Sequence, residues 1–297
     1  MKTARIVRGS PALLRLLLPL LLSGTVRIDG YRPVIIVHGI FDGPKQFKTL
    51  SLYITKTHPG TEVSVIDLYD NLASLRPLWR QVQDFSQAFD SIVRKAPEGV
   101  HLLCFSQGGL ICRALLSVAS HHNVHTFVSL SAPQAGQYGD TDYLKWLFPD
   151  YVKRTLFRIC YSSMGQKLSF CDYWNDPHHR YRYLQSNTFL PMLNGERPHI
   201  NMKEVLRWKK TTTKIFKHLN YFVYQLFPIF SHFGFYDVNE NIVEMRNQEV
   251  SGRSDTFGLK ALEARGDVEL CVHSGVKHVQ WHSNHTVFTS CIEKWLT

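Results

Sequence analysis

The stretch from Gly99 to Ser120 constrains the fold more strongly than any other part of the chain. Val100 to Phe105 is an apolar run of strand length, and apolar residues then recur at the three- and four-residue spacing of a helix. Ser106 stands at the junction, with the small residues Cys104 and Gly108 two positions away on either side. This arrangement is typical of a nucleophile elbow, a sharp turn that exposes a serine hydroxyl above a parallel sheet. The alternative is an ordinary serine in a strand-to-helix turn.

A second segment agrees with the elbow. Tyr31 to Phe41 reads as a continuous apolar strand that ends in His38 and a glycine, where an α/β-hydrolase places its oxyanion loop. The backbone N–H groups of Ile40 and Gln107 are therefore predicted to bind the developing oxyanion.

The candidate general base follows the last predicted strand. Val268 to Val272 reads as that strand, and His278 lies in the polar turn after it, so the order serine then histidine fits the fold. His273, at the very end of the strand, and His282 compete with it. A catalytic histidine belongs in the loop between the strand and the final helix, which favours His278. We expect His282 to be a surface histidine or to begin a helix.

The rest of the chain continues a strand–helix–strand rhythm. Glu62 to Tyr69 and Val124 to Ser131 read as strands, and Leu75 to Ala96 has helical spacing, which predicts a mainly parallel sheet. From about residue 134 to residue 200 the rhythm stops and aromatic residues accumulate. We expect an inserted cap here, because an apolar cover over the elbow suits a long acyl chain. The alternative is that these aromatic residues only pack the cap onto the sheet.

Longer runs carry a family resemblance. They are Pro33 to Gly39, Cys104 to Leu110, Gln137 to Asp140, and Asn194 to Glu196. Over roughly Tyr31 to Arg197 and Phe233 to the C-terminus, the chain resembles the palmitoyl-protein thioesterases. The resemblance implies an α/β-hydrolase fold and a lysosomal or secreted serine hydrolase that cleaves long-chain fatty acyl thioesters through an acyl-enzyme. It implies no cofactor and no metal. A Ser-His site under an apolar cap equally suits a lipase or a carboxylesterase.

The cysteine count is even, as in most secreted chains with disulfides. Sequence order suggests that neighbours pair, and the resemblance implies the same pairing. The predicted pairs are Cys104 with Cys112, Cys160 with Cys171, and Cys271 with Cys291.

The N-terminus is typical of a secretory signal. Residues 1–24 begin with basic side chains and continue into a leucine-rich run that is too short to span a bilayer. Residues 25–297 are then expected to form one α/β-hydrolase domain with the cap at about 134–200. No second long apolar run follows, so we expect no stable membrane insertion. Asn284, in Asn-His-Thr, is a predicted glycosylation acceptor on the secretory route.

The net charge of +10 does not indicate a nucleic-acid partner. Four basic residues fall within the signal segment, and the stretch 203–217 carries a net charge of +5, which leaves a nearly neutral body. One local basic run is not a surface that tracks a phosphate backbone. The partner predicted for the protein is therefore a fatty acyl thioester substrate, and the sequence does not determine an oligomeric state.

The acid of the catalytic triad has no match at its usual place. In the resembling family an Asp-bearing loop precedes the segment matching Phe233 to Asp237, but residues 202–232 contain no Asp and only one carboxylate, Glu204. This segment departs from the family, although Tyr221 to Phe227 could still form the required strand. Asp237 is the candidate for a displaced acid, ahead of Asp140 and Asp142. The alternative function is a catalytically impaired acyl-binding or regulatory homologue.

Overall fold

A computed structural model describes residues 30–119, 122–139, 154–197, 221–226, 235–243 and 259–297. The chain divides into the segment Met1–Gly30 and one compact unit, Tyr31–Thr297. The predicted signal segment, the basic stretch 203–217, Asp140 and Asp142 lie outside the described residues. Within these residues, no helix has the length and apolar character needed to cross a membrane.

The compact unit is built on a parallel sheet. The strands are β1 (Val34–Val37), β2 (Val63–Val65), β3 (Val100–Phe105), β4 (Val124–Leu130), β5 (Tyr221–Leu226) and β8 (Val268–Val272). They lie in the order β2-β1-β3-β4-β5-β8, and every described pairing between them is parallel. β6 (Phe235–Tyr236) and β7 (Ile242–Val243) form a separate antiparallel hairpin. The order and direction of the six strands are those of an α/β-hydrolase sheet.

Helices cover the sheet on both faces. They are α1 (Lys48–Thr57), α2 (Leu78–Val93), α3 (Gln107–Val118), α4 (Leu156–Cys160), α5 (Ser169–Asp172), α6 (Arg180–Ser186), α7 (Leu190–Leu193), α8 (Leu259–Ala264) and α9 (His285–Val287). Other helical turns span Pro44–Phe47, Asn71–Leu75, Gly165–Lys167, Pro177–His179, His278–Gln280, Phe288–Ile292 and Glu293–Trp295.

The two faces explain why the central strands are continuously apolar. Ile35 and Val37 of β1 join a buried cluster with residues of α2 and α3, whereas Val34 and Ile36 join a second cluster with α1 and the C-terminal turns. Because successive side chains of a strand point to opposite faces, both sets are buried. The apolar runs therefore read as central strands of a covered parallel sheet.

Several elements are shorter than the sequence predicts. The strand predicted at Glu62 to Tyr69 is only Val63–Val65, because β1 pairs with just these residues. The first strand is Val34–Val37, and α2 spans Leu78–Val93. The apolar runs in the sequence are longer than these elements because residues beyond the strand ends, such as Ile40 and Ile66, are also buried in the core.

The segment that departs from the family still provides a central strand. β5 pairs in parallel with β4 on one side and with β8 on the other. The prediction that Tyr221 to Phe227 could form this strand is confirmed over Tyr221–Leu226. The sheet therefore remains continuous from β4 to the strand that precedes His278.

The described residues between β4 and β5 form helices and turns. Asp172, in α5, accepts a hydrogen bond from the Leu78 N–H at 2.7 Å, and the Trp79 indole donates to the Thr188 carbonyl at 2.8 Å. This insertion therefore packs against the N-terminal end of α2. Its role as a cap over the elbow stays a prediction.

Candidate active site

The predicted elbow is present at Ser106. Ser106 lies between β3 and α3 with φ 53° and ψ −126°, a conformation that non-glycine residues rarely adopt. Its N–H donates to the Leu130 carbonyl at 2.9 Å, and its carbonyl accepts from the Gly109 N–H at 2.9 Å. These bonds hold the strained corner that presents the hydroxyl at the carboxyl edge of the sheet.

Gly108 allows α3 to begin against the neighbouring strand. A Cβ atom at this position would lie 2.5 Å from the carbonyl oxygens of Val37 and His38, closer than any side chain can approach. The glycine two residues after Ser106 therefore has a packing reason that the motif alone does not give.

His278 meets Ser106 directly. The His278 Nε2 atom lies 2.9 Å from Ser106 Oγ, and the imidazole packs on the Phe105 ring with 5.1 Å between the ring centroids. Because β8 ends at Val272, the turn that follows carries His278 back over the end of β3. A hydroxyl and an imidazole at this distance can transfer a proton.

The loop after β1 borders the same serine. A Cβ atom on Gly39 would lie 2.9 Å from Ser106 Cβ, so the loop and the elbow are in contact. The backbone N–H groups of Ile40 and Gln107 donate to no other residue in the described part of the chain. Ser74 is hydrogen-bonded to both segments that carry these N–H groups. In the loop after β1, its Oγ accepts from the Phe41 N–H at 2.8 Å, and at the start of α3 its carbonyl accepts from Gln107 Nε2 at 2.9 Å.

Comparison with known proteins identifies the family. The family model described as palmitoyl protein thioesterase matches residues 33–278. The chain belongs to the palmitoyl protein thioesterase family. Its relatives include proteins named lysosomal thioesterase PPT2, from Rattus norvegicus (52% identical over 287 residues, 94% of this chain and 93% of the relative) and from Homo sapiens (53% over 272 residues, 90% and 88%).

Solved structures are more remote. The Bacillus licheniformis lipase BlEst2 is 12% identical, covers 90% of this chain and 93% of its own, and superposes with a TM-score of 0.48. The α/β-hydrolase assignment therefore rests on the strand order of the chain itself.

The structure does not bring Asp237 to His278. Asp237 lies between the strands of the β6–β7 hairpin, where its Oδ1 accepts from the N–H groups of Asn239 and Asn241 at 2.9 and 2.8 Å. These bonds make the carboxylate part of the hairpin turn. Its contacts in the described residues are therefore those of a turn residue rather than of a displaced triad acid.

A hydroxyl lies beside the second ring nitrogen of His278. The Nδ1 atom is 3.0 Å from the Oγ atom of Ser131, the residue that follows β4. Sequence reasoning missed this contact, since Ser131 reads only as the end of a strand. The available signal is its place directly after a central parallel strand, the edge at which α/β folds gather their functional groups.

The other two histidines lie elsewhere. His273, the residue after β8, makes an exposed contact of 2.7 Å between its Nε2 atom and the Ser290 hydroxyl. The prediction that His282 is a surface or helix-starting residue is wrong: it is 7% exposed and packs on the rings of Phe47 and Phe105, 4.7 and 5.0 Å away. Burial lowers the pKa of His282, because the apolar surroundings disfavour the charged ring.

Three disulfides pair the six cysteines in the predicted order. Cys104 is bonded to Cys112 across the elbow, Cys160 to Cys171 within the insertion, and Cys271 to Cys291 across the turn that carries His278. In the described residues, the one cluster with metal-ligand chemistry is Cys271, His273 and Cys291, and its two sulfurs belong to the third disulfide. They are therefore not the thiolates that a metal site needs.

Asp42 places a carboxyl group beside the oxyanion loop. A Cβ atom on Gly39 would lie 3.1 Å from Asp42 Oδ2, so Gly39 separates this oxygen from Ser106. Burial raises the pKa of Asp42 to about 6, against the opposing effects of His38 and of a hydrogen bond from the Gly39 backbone. The carboxyl is therefore mostly uncharged in acidic compartments, where it adds no full negative charge near a developing oxyanion.

Asn284, the predicted glycosylation acceptor, is the N-cap of α9. Its side-chain oxygen accepts from the Val287 N–H at 3.0 Å, which leaves the amide nitrogen outside this bond. Glycosylation at Asn284 stays a prediction.

Proposed function

We propose that this chain is a lysosomal serine hydrolase that cleaves long-chain fatty acyl thioesters through an acyl-enzyme on Ser106. The observation that carries the proposal is the 2.9 Å contact between Ser106 Oγ and His278 Nε2 at a strained elbow. Membership of the palmitoyl protein thioesterase family and the printed names of the PPT2 relatives support the substrate class and the compartment.

In the first half of the reaction, His278 Nε2 takes the proton of Ser106 while Oγ attacks the thioester carbonyl carbon. The negative charge that develops on the carbonyl oxygen is bound by the N–H groups of Ile40 and Gln107. When the tetrahedral intermediate collapses, the carbon–sulfur bond breaks. The imidazolium then gives its proton to the departing sulfur, so a thiol leaves and the acyl group remains on Ser106.

The second half repeats these roles with water. His278 takes a proton from a water molecule, which attacks the acyl-enzyme carbonyl within the same oxyanion site. The carbon–oxygen bond to Ser106 breaks, Oγ recovers the proton from the imidazolium, and the fatty acid leaves. No step in this sequence requires an oxidant or a reductant.

Palmitoyl-CoA hydrolysis by the secreted chain, first shown to be folded, tests the proposal. We expect turnover that is lost in Ser106→Ala and retained in Ser117→Ala. Ser117 is a matched control because its hydroxyl is also buried and donates to the Arg113 carbonyl in α3 at 2.9 Å, away from the elbow. Both variants are first shown to unfold at the temperature of the parent protein.

The same preparation distinguishes the alternative functions. Comparable kcat/KM values for palmitoyl-CoA and for an oxygen ester of palmitate would assign a lipase or carboxylesterase instead. Failure of a fluorophosphonate probe to label Ser106 in the folded protein, together with saturable palmitate binding, would assign an impaired acyl-binding homologue. Turnover that survives Ser106→Ala would contradict the acyl-enzyme.

A further inference from the structure

The imidazole of His278 lies between two serine hydroxyls. Its Nε2 atom is 2.9 Å from Ser106 Oγ, and its Nδ1 atom is 3.0 Å from Ser131 Oγ. Both serines are 5% exposed, so bulk water does not readily replace either contact. The ring is therefore oriented from both nitrogens by the carboxyl edge of the sheet.

Strand register explains how the two serines come together. Phe105 of β3 pairs with Leu130 of β4, so the residues that follow them, Ser106 and Ser131, leave adjacent strand ends side by side. Both have a positive φ, 53° and 51°, which costs a residue with a side chain conformational energy. Non-glycine residues in such conformations cluster at functional sites, where the surrounding structure holds them.

The chemistry of a general base requires a particular tautomer. For Nε2 to accept the Ser106 proton, the proton of neutral His278 must be on Nδ1, and an acceptor facing Nδ1 favours that state. A serine hydroxyl can accept this proton, but it can also donate to Nδ1, which would move the ring proton to Nε2 and disable the base. A carboxylate accepts only.

We propose, on the basis of the proposed function, that Ser131 is a positioning residue whose hydroxyl oxygen accepts the Nδ1 proton of His278 and holds the ring in its productive tautomer and orientation. Among the described residues, Ser131 then lies beside Nδ1, where a Ser-His-acid triad has its acid, and its hydroxyl carries no charge. A neutral hydroxyl orients the imidazole without stabilising the imidazolium by charge, and a carboxylate at residue 131 is expected to do both.

Substitutions at this residue test the proposal. Ser131→Ala removes the acceptor, whereas Ser131→Asn and Ser131→Asp form a nearly isosteric pair that differs in charge. Both tolerate a positive φ better than most residues do. Ser129→Ala is the matched control, since it removes a buried hydroxyl within β4, two residues before Ser131, that accepts from Gln134 Nε2 at 2.9 Å.

Two rates are measured from pH 4 to pH 8. The first is fluorophosphonate labelling of Ser106, which reports on the Ser-His pair whatever the substrate, and the second is palmitoyl-CoA hydrolysis. In the part of the chain that the structure describes, the titratable neighbours on other packed elements include Asp42, across Gly39 from Ser106, and His282, on the Phe105 ring. Both remain in every variant, so differences between the profiles report on residue 131.

We expect Ser131→Ala to slow labelling and kcat about five- to tenfold, the effect of one lost neutral hydrogen bond, with KM unchanged within a factor of about two. Ser131→Asp should move the acidic limb of both profiles to higher pH by about one unit, because a facing carboxylate favours the charged imidazole. Ser131→Asn should leave that limb in place, and Ser129→Ala should match the parent.

Parent-like labelling by Ser131→Ala, or profiles of Ser131→Asp and Ser131→Asn that coincide, would overturn the proposal. If Ser131→Asp does not fold, the other two variants decide the question. The proposal then requires a slower rate in Ser131→Ala and a retained rate in Ser131→Asn. A parent protein that is labelled but does not hydrolyse palmitoyl-CoA would refute the proposed function. The labelling profiles would still decide the role of Ser131.

Discussion

Gly39→Ala should disable the site without unfolding the protein. The added Cβ atom would lie 2.9 Å from Ser106 Cβ, 3.1 Å from Asp42 Oδ2 and 3.2 Å from Phe105 Cδ1. Ordinary van der Waals contacts of this kind are 3.4–4 Å long, so the loop and the elbow must move apart by roughly 0.5 to 1 Å. This displacement would lengthen the distance between the Ile40 N–H and Ser106 Oγ, the attacking oxygen.

A misplacement of about 1 Å can cost on the order of 100-fold in rate, whereas overpacking costs about 1–3 kcal/mol of stability. We therefore expect Gly39→Ala to lower kcat for palmitoyl-CoA by roughly 10- to 100-fold and to reduce the free energy of unfolding modestly. The assays are steady-state hydrolysis, fluorophosphonate labelling and urea unfolding on the same preparation.

Gly266→Ala is the control. Gly266 has φ 77° with no atom within 4 Å of an added Cβ, so the substitution strains the backbone at a place with room for the methyl group. It should cost about 1–2 kcal/mol of stability and leave kcat unchanged. If Gly39→Ala kept parent-like kcat and labelling, or if both variants lost activity in proportion to stability, the reasoning from loop position would be refuted.

Three further predictions concern the histidine, its disulfide and a buried acid. His278→Ala should lower both Ser106 labelling and turnover by at least about 1,000-fold, since a triad without its base loses most of its catalysis, and parent-like labelling would exclude His278 as the base. Replacing Cys271 and Cys291 by Ala should cost about 3 kcal/mol in urea unfolding and should also lower kcat, because the 20-residue loop that they close carries His278; unchanged kcat would show that the turn orders itself. Burial raises the pKa of Asp172 to about 8, so the folded state keeps a proton that the unfolded state loses, and stability falls as pH rises from about 4 to 8. Asp172→Asn should remove this slope in urea unfolding measured at both ends of the range, and equal slopes in parent and variant would contradict it.

The elbow and the strand Tyr221–Leu226 were predictable because their signals are local. An apolar run, a serine and a helix-spaced apolar stripe are adjacent in the sequence, and Tyr221–Leu226 forms a strand although its neighbours depart from the family. Strand lengths were less predictable, since Val63–Val65 ends where its pairing with β1 ends.

The cysteine pairs and the pairing of Ser106 with His278 were also predictable from the sequence, because chain order and a known fold restrict the possible partners. The surroundings of single side chains were not predictable in this way. His282 looks like a surface residue in the sequence, but the rings of Phe47, in the turn before α1, and Phe105, in β3, pack against it in the folded chain.

The sequence by itself determined which elements carry the catalytic residues. The periodicity of a strand or helix depends only on neighbouring residues, and it located Ser106, the loop before Ile40 and the turn with His278. Only the tertiary structure decided what faces the second nitrogen of His278. The contact with Ser131 depends on the register of β3 with β4 and on the path of the chain after β8, which join residues 147 positions apart. No local sequence pattern can show a contact between residues so far apart in the chain. The Ser131 hydroxyl therefore becomes part of the site only when the sheet has formed.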